Sequence, residues 1–212
     1  MAVSLTTPNT LLGAYAPKSA AARATFAVVT VVLGSLLLAL AGKISVPVLP
    51  VPFTLQTLAV AALAAAFGAR IGVATIVLYI VEGLSGLPVF TNGGGPAYAL
   101  SPTFGFILGW VPMAFIIGTA ADRGLSRRLL PLVGVMLAAD ALCLVFGFAW
   151  LLVVANVILQ QGGALPAWLD ASNLIATGFN GAIKPFLIWD ALKMAFAAVT
   201  VAGAWAVLRP TR

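Results

Sequence analysis

Residues 185–208 read PFLIWDALKMAFAAVTVAGAWAVL, 24 residues that carry one acid and one base, Asp190 and Lys193, in an otherwise apolar run. A helix rises about 1.5 Å per residue, so this stretch is long enough to cross a hydrocarbon core of roughly 30 Å. Side chains three apart share a helix face. Ionisable groups inside a span cost roughly 2.5 to 3.5 kcal/mol each on insertion scales, and therefore face a cavity or each other. The stretch predicts a membrane helix with one polar spot, bordered by Phe186 four residues before Asp190 and Trp189 four before Lys193. Such a spot is either a mutually neutralising structural ion pair or part of a binding pocket.

The rest of the chain has the same character. Of 212 residues 62% are hydrophobic and 8% charged, too little polar surface to clothe a soluble globule. Apolar runs at about 24–41, 53–68, 71–84, 103–121, 129–152 and 185–208 predict an all-α integral membrane protein, a bundle of six transmembrane helices. Residues 1–22 are mixed and polar and are expected to form a flexible cytoplasmic leader to a membrane domain over 23–212. The segment VPVLPVP, 46–52, cannot continue a helix and separates the first two spans. Residues 24–41 imitate a signal peptide, but their apolar run exceeds the usual seven to fifteen residues, which favours a retained span.

Orientation follows from Lys and Arg. Lys18, Arg23, Arg70, Arg123, Arg127, Arg128, Arg209 and Arg212 fall on one side of a six-span arrangement, and only Lys43 and Lys184 on the other. Basic loops stay inside, so both termini are expected to be cytoplasmic. The formal charge of +6 is thereby accounted for by span ends, and nucleic acid is not an expected partner. With no His and a single cysteine, Cys143, there is neither an intrachain disulfide nor a metal-ligand set, and no cofactor is expected. No glycine-rich run is followed by Lys and Ser or Thr, so the chain has no nucleotide loop of its own.

Three further segments carry polar groups where external loops meet the membrane. VPFTLQTL, 51–58, brings Gln56 into the first turn of a span, with Thr54 as a capping residue. GLSGLPVFTNGGGP, 83–96, combines the amide of Asn92 with a glycine-rich backbone, Gly93 included, that can approach a ligand closely or simply form a flexible turn. SPTFGF, 101–106, opens the next span and reads as architecture. Asp140 in mid-span is an acid without an evident local partner, and Glu82, near the outer end of a span, is placed to reach the interface.

Taken together, VPFTLQTL, GLPVFTNGGG, SPTFGFILGW and PFLIWDALK occur in the order that resembles the signature blocks of the BioY family, the biotin-specific substrate-binding (S) components of energy-coupling-factor (ECF) transporters. The likeness extends over about 24–208. The chain departs from the family pattern at 101–106, where GPTGGY is usual, and at Trp189, where a small residue is usual. The resemblance implies a multi-pass protein of the cytoplasmic (inner) membrane of a prokaryote that captures biotin and works with a membrane scaffold (T) subunit and ATPase subunits. It implies that Asp190 accepts ureido N–H bonds, that Asn92 and Gln56 serve the remaining ureido or carboxylate atoms, and that Lys193 holds Asp190 ionised or binds an oxygen of the ligand. Phe53, Phe90, Tyr98 and Trp189 would be the walls. A strip of small residues on the first span, Ala20, Ala24, Ala27 and Gly34, would meet the scaffold subunit or pack against the chain's own bundle. Two other classes stand beside this reading: a stand-alone vitamin facilitator, or an S component for another small vitamin. A membrane enzyme is disfavoured, since only Asp190 and Lys193 could act as a catalytic pair.

Overall fold

The structure, a computed structural model, describes residues 9–46 and 51–208. Among the described residues the elements are α1 (Leu11–Ala14), α2 (Ala20–Lys43), strands β1 (Ser45–Val46) and β2 (Phe53–Thr54), α3 (Gln56–Phe67), α4 (Ala69–Leu84), α5 (Phe104–Asp122), α6 (Leu129–Gln160), α7 (Leu174–Ala182) and α8 (Phe186–Leu208).

The long helices are apolar around most of their circumference, so small residues and the few polar ones mark the face that turns inward. On α2 the buried positions are Ala27, Thr30, Gly34, Ser35, Leu38, Ala41 and Gly42. Val28, Val32, Leu33, Leu36 and Leu40 stay exposed. Small residues let helices approach in lipid, where bulky aliphatic side chains lose nothing by facing outward. One close approach is at the α3–α4 junction. Gly68 turns the chain with φ +86°, and a Cβ on Gly118 of α5 would sit 2.4 Å from the Ala69 backbone nitrogen. The interior is filled by Val60, Tyr79, Met113, Ile117, Leu132, Met136 and Met194, with α5 and α6 forming the most extensive helix pair.

Polar contacts tie each end of the bundle. At one end Trp205 Nε1 donates to Ser126 Oγ at 3.0 Å, and the Arg127 guanidinium lies 4.3 Å from the Trp205 ring centroid. Asp122 Oδ2 accepts from the Ala69 backbone N–H at 3.1 Å, an acid at a helix N-terminus, and Tyr15 donates to the Leu208 carbonyl at 2.9 Å. Arg70, Arg123, Arg127 and Arg128 therefore gather at the end where α1 meets the end of α8. At the other end Lys43 Nζ donates to the Phe90 carbonyl at 2.9 Å, and β1 pairs antiparallel with β2, Ser45 opposite Thr54.

Among the described residues four helical segments are long and apolar enough to cross a membrane, Ala20–Lys43, Phe104–Asp122, Leu129–Gln160 and Ala171–Leu208. Several element boundaries differ from those expected. α3 has 12 residues, about 18 Å, because the β1–β2 hairpin keeps the chain extended as far as Thr54. The backbone leaving the hairpin is satisfied by protein, since Leu55 N donates to the Ala41 carbonyl at 3.3 Å. α6 continues to Gln160 rather than stopping near residue 152, since no glycine or proline interrupts residues 153–160. α7 adds a helix within the expected loop. Ahead of α2, the short helix α1 is capped by Thr10, whose hydroxyl accepts from Gly13 N at 3.0 Å, and Thr10 is buried. Residues 1–8, Pro47, Val48, Leu49, Pro50, Arg209 and Arg212 lie outside the described residues.

Candidate functional site

α8 brings Asp190 and Lys193 to its inner face, and the packing of α3 on α8 sets Thr57 beside them. Lys193 Nζ lies 2.8 Å from Asp190 Oδ1. Thr57 Oγ1 donates to the same oxygen at 3.1 Å and accepts from Lys193 Nζ at 3.2 Å. One hydroxyl can donate once and accept twice, so this closed triangle satisfies its members without conflict. Asp190 is 1% exposed. Both its hydrogen bonds fall on Oδ1, so Oδ2 has full acceptor capacity left, and Lys193 keeps a third N–H to donate.

This triangle forms one wall of a cavity of about 150 Å3. The hairpin contributes Val51, Pro52 and Thr54; α3 contributes Gln56 and Thr57; the 85–102 connection contributes Thr91, Asn92 and Tyr98. Phe106, Ile107 and Trp110 of α5, Asp140, Cys143 and Leu144 of α6, Ala182 of α7 and Phe186 of α8 complete it, with Thr103 at the start of α5. Apolar walls with a few convergent polar groups suit a small organic solute. Partial burial pushes the Tyr98 phenol above its ordinary value, opposed by a hydrogen bond from the Asn92 backbone. The described residues hold no cluster of His, Cys, Asp or Glu able to bind a metal ion.

Of the residues expected at the site, Asp190, Lys193, Asn92, Gln56 and Tyr98 line the cavity, whereas Phe53, Phe90, Gly93 and Trp189 do not. Gln56 lines it as a rivet. Its Oε1 accepts from Thr54 Oγ1 at 3.2 Å and Thr91 Oγ1 at 3.3 Å, and its Nε2 donates to the Leu38 carbonyl at 3.3 Å and to Tyr79 Oη at 2.7 Å. Two lone pairs and two N–H groups are thus spent on the protein, holding the hairpin and the 85–102 connection onto α2 and α4. Phe90 is wholly buried, 4.5 Å from the Tyr98 ring and seated on Gly83, where any Cβ would collide with it. It supports Tyr98 from behind. Gly93 adopts φ +112° and bridges back to Phe90, so its freedom makes the turn and presents no backbone to the cavity. Trp189 is 56% exposed. It precedes Asp190 by one residue, about 100° of helix rotation, which carries it past the inner face. Phe53 packs 4.5 Å from Phe186 and 6.2 Å from Trp189, backing the ring that does line the cavity.

The small-residue strip on α2 divides as well. Ala27 and Gly34 are buried inside the chain, and a Cβ on Gly34 would meet Thr75 of α4 at 2.7 Å. Only Ala20 and Ala24 remain exposed. Glu82 accepts from the Ser35 hydroxyl on α2, which gives that acid an intrachain partner.

Thr57, Phe106, Trp110 and Asp140 enter the site unannounced by a motif role. Thr57 stands in the same block as Gln56, Phe106 and Trp110 stand in the block SPTFGFILGW without a ligand role assigned to either, and Asp140 is conspicuous as a mid-span acid.

The bundle and its lining define a class: a helical membrane protein with an internal cavity whose apolar walls carry a few convergent polar groups. The chain belongs to the BioY family, whose model matches residues 15–210. It is 41% identical over 101 residues to the probable biotin transporter BioY of Lysinibacillus sphaericus, covering 48% of this chain and 52% of that protein. It is 31% identical over 163 residues to the biotin transporter BioY of Thermotoga maritima, covering 74% of this chain and 82% of the other. The fold is shared with the crystal structure of an S-component for biotin from an ECF-type ABC transporter, at a TM-score of 0.68, 20% identity and coverage of 92% of this chain and 96% of that one.

Proposed function

We propose that this chain is the biotin-binding S component of an ECF transporter, taking biotin into the cavity beside Asp190 and leaving ATP hydrolysis to partner subunits. The observation that carries the reading is the buried Asp190–Lys193–Thr57 triangle with Asp190 Oδ2 free to accept, on the wall of a cavity in a BioY-family chain. The ureido group of biotin offers two N–H donors to such an acceptor, and Asn92 and Tyr98 at the cavity's loop side suit the remaining polar atoms. Titration of the purified chain with biotin in the absence of ATP tests the reading; one-to-one binding supports it and absence of binding contradicts it.

The same reading includes a prokaryotic cytoplasmic membrane crossed six times, with both termini and the basic end inside. α3 and α4 then cross with help from the hairpin and the connection at the cavity end. The scaffold (T) subunit would meet the exposed side of α2 near Ala20 and Ala24. Topology is checked by single cysteines in a Cys143→Ala background. Arg128→Cys and Ala97→Cys both lie at exposed positions, and a membrane-impermeant thiol reagent added outside should label Ala97→Cys and spare Arg128→Cys until the membrane is opened. Outside labelling of Arg128→Cys overturns the orientation.

A further inference from the structure

Two side-chain polar atoms are buried without a hydrogen-bond partner among the described residues: Asp140 Oδ1 and Trp110 Nε1. Asp140 is 5% exposed and Trp110 4%, and both residues line the same cavity as Asp190. Asp140 is within electrostatic reach of both Asp190 and Lys193. Leaving a buried acceptor or an indole N–H unpaired forfeits the full desolvation cost of the group, and such atoms are normally paired in folded proteins. Here an acceptor on α6 and a donor on α5 are unspent on two residues that line the cavity.

We propose that Asp140 and Trp110 form a second polar subsite that completes recognition of a cyclic ureide, Asp140 accepting the ureido N–H that Asp190 does not take and Trp110 donating to the ureido carbonyl. This rests on the biotin reading above and deepens it. A ureide has two N–H donors pointing apart and one carbonyl between them. Asp190 Oδ2 on α8 is one acceptor, and Asp140 on α6 supplies a second from another wall. Trp110 on α5 supplies a donor for the carbonyl, which Lys193 can share with its remaining N–H. Three helices thereby each contribute one hydrogen bond to a group of fixed geometry. A ligand lacking the carbonyl or one N–H leaves a buried protein atom unpaired, which is how a polar site rejects analogues strongly.

The test uses the full chain in detergent, biotin, and 2-iminobiotin, whose guanidinium carries N–H in place of the carbonyl oxygen. Trp110→Phe removes only the N–H and keeps a ring in place. It is expected to weaken biotin about tenfold and to leave 2-iminobiotin within about twofold, with no fall in melting temperature. Asp140→Leu is expected to weaken both ligands by about tenfold or more. If these groups are merely packed or bridged by water, removing an unpartnered buried acid leaves biotin affinity unchanged, and Trp110→Phe shifts the two ligands equally. Either result overturns the subsite. Failure of the unaltered chain to bind biotin would instead overturn the functional reading on which it rests.

Discussion

Asp190→Asn is expected to weaken biotin binding tenfold to more than a hundredfold, about 1.5 to 3 kcal/mol, while the melting temperature changes less. The substitution keeps size and planarity and removes the charge that strengthens an accepted N–H bond. Oδ1 is already held by Lys193 and Thr57, so the ligand is assigned to Oδ2. A purely structural pair behaves differently. It leaves Lys193 as an uncompensated cation in the bundle, and loss of one partner of a buried pair costs about 3 to 5 kcal/mol of stability. Asp190→Asn together with Lys193→Met separates the two, since neither charge is stranded. A well-folded double variant that binds biotin as the unaltered chain does would show that the pair only holds α8 in place and that the site is misassigned.

Uptake is expected to be all or none with respect to the partner subunits. The sequence carries no Walker pattern, and on the proposed reading the partner subunits couple ATP hydrolysis to accumulation. In cells deficient in biotin uptake, expression of this chain with a scaffold subunit and an ATPase pair should accumulate labelled biotin above the external concentration. Replacing the P-loop lysine of the ATPase subunits should abolish that accumulation. Equal accumulation by the chain alone would make it a stand-alone transporter driven by another gradient.

Much of the membrane architecture was legible because the costs that shape it are local. An acid and a base three apart in an apolar run must share an inward face, and Asp190 and Lys193 do so. Arg70, Arg123, Arg127 and Arg128 mark one end of the bundle in sequence and in space. What was not legible depends on partners far away in the chain. Gln56 is an amide at a helix start, but its four hydrogen bonds come from residues 54, 91, 38 and 79, and only their convergence shows that it is spent on the fold. Trp189 and Phe186 both lie four residues from a charge, and four-residue spacing alone does not tell the centre of a helix face from its shoulder. Phe90 is drawn under Tyr98 by the bare surface of Gly83, a tertiary contact without a local signal. The shortness of α3 comes from the hairpin pairing across Ser45 and Thr54, which the proline run announced only as a break.

On the proposed reading the cavity beside Asp190 binds biotin, and does so without partners. Isothermal titration of the detergent-purified chain with biotin, riboflavin and thiamine, in the absence of ATP, is the test. One-to-one heat of binding is expected with biotin alone, complete at micromolar ligand. No heat with biotin, or heat with riboflavin or thiamine instead, would contradict it.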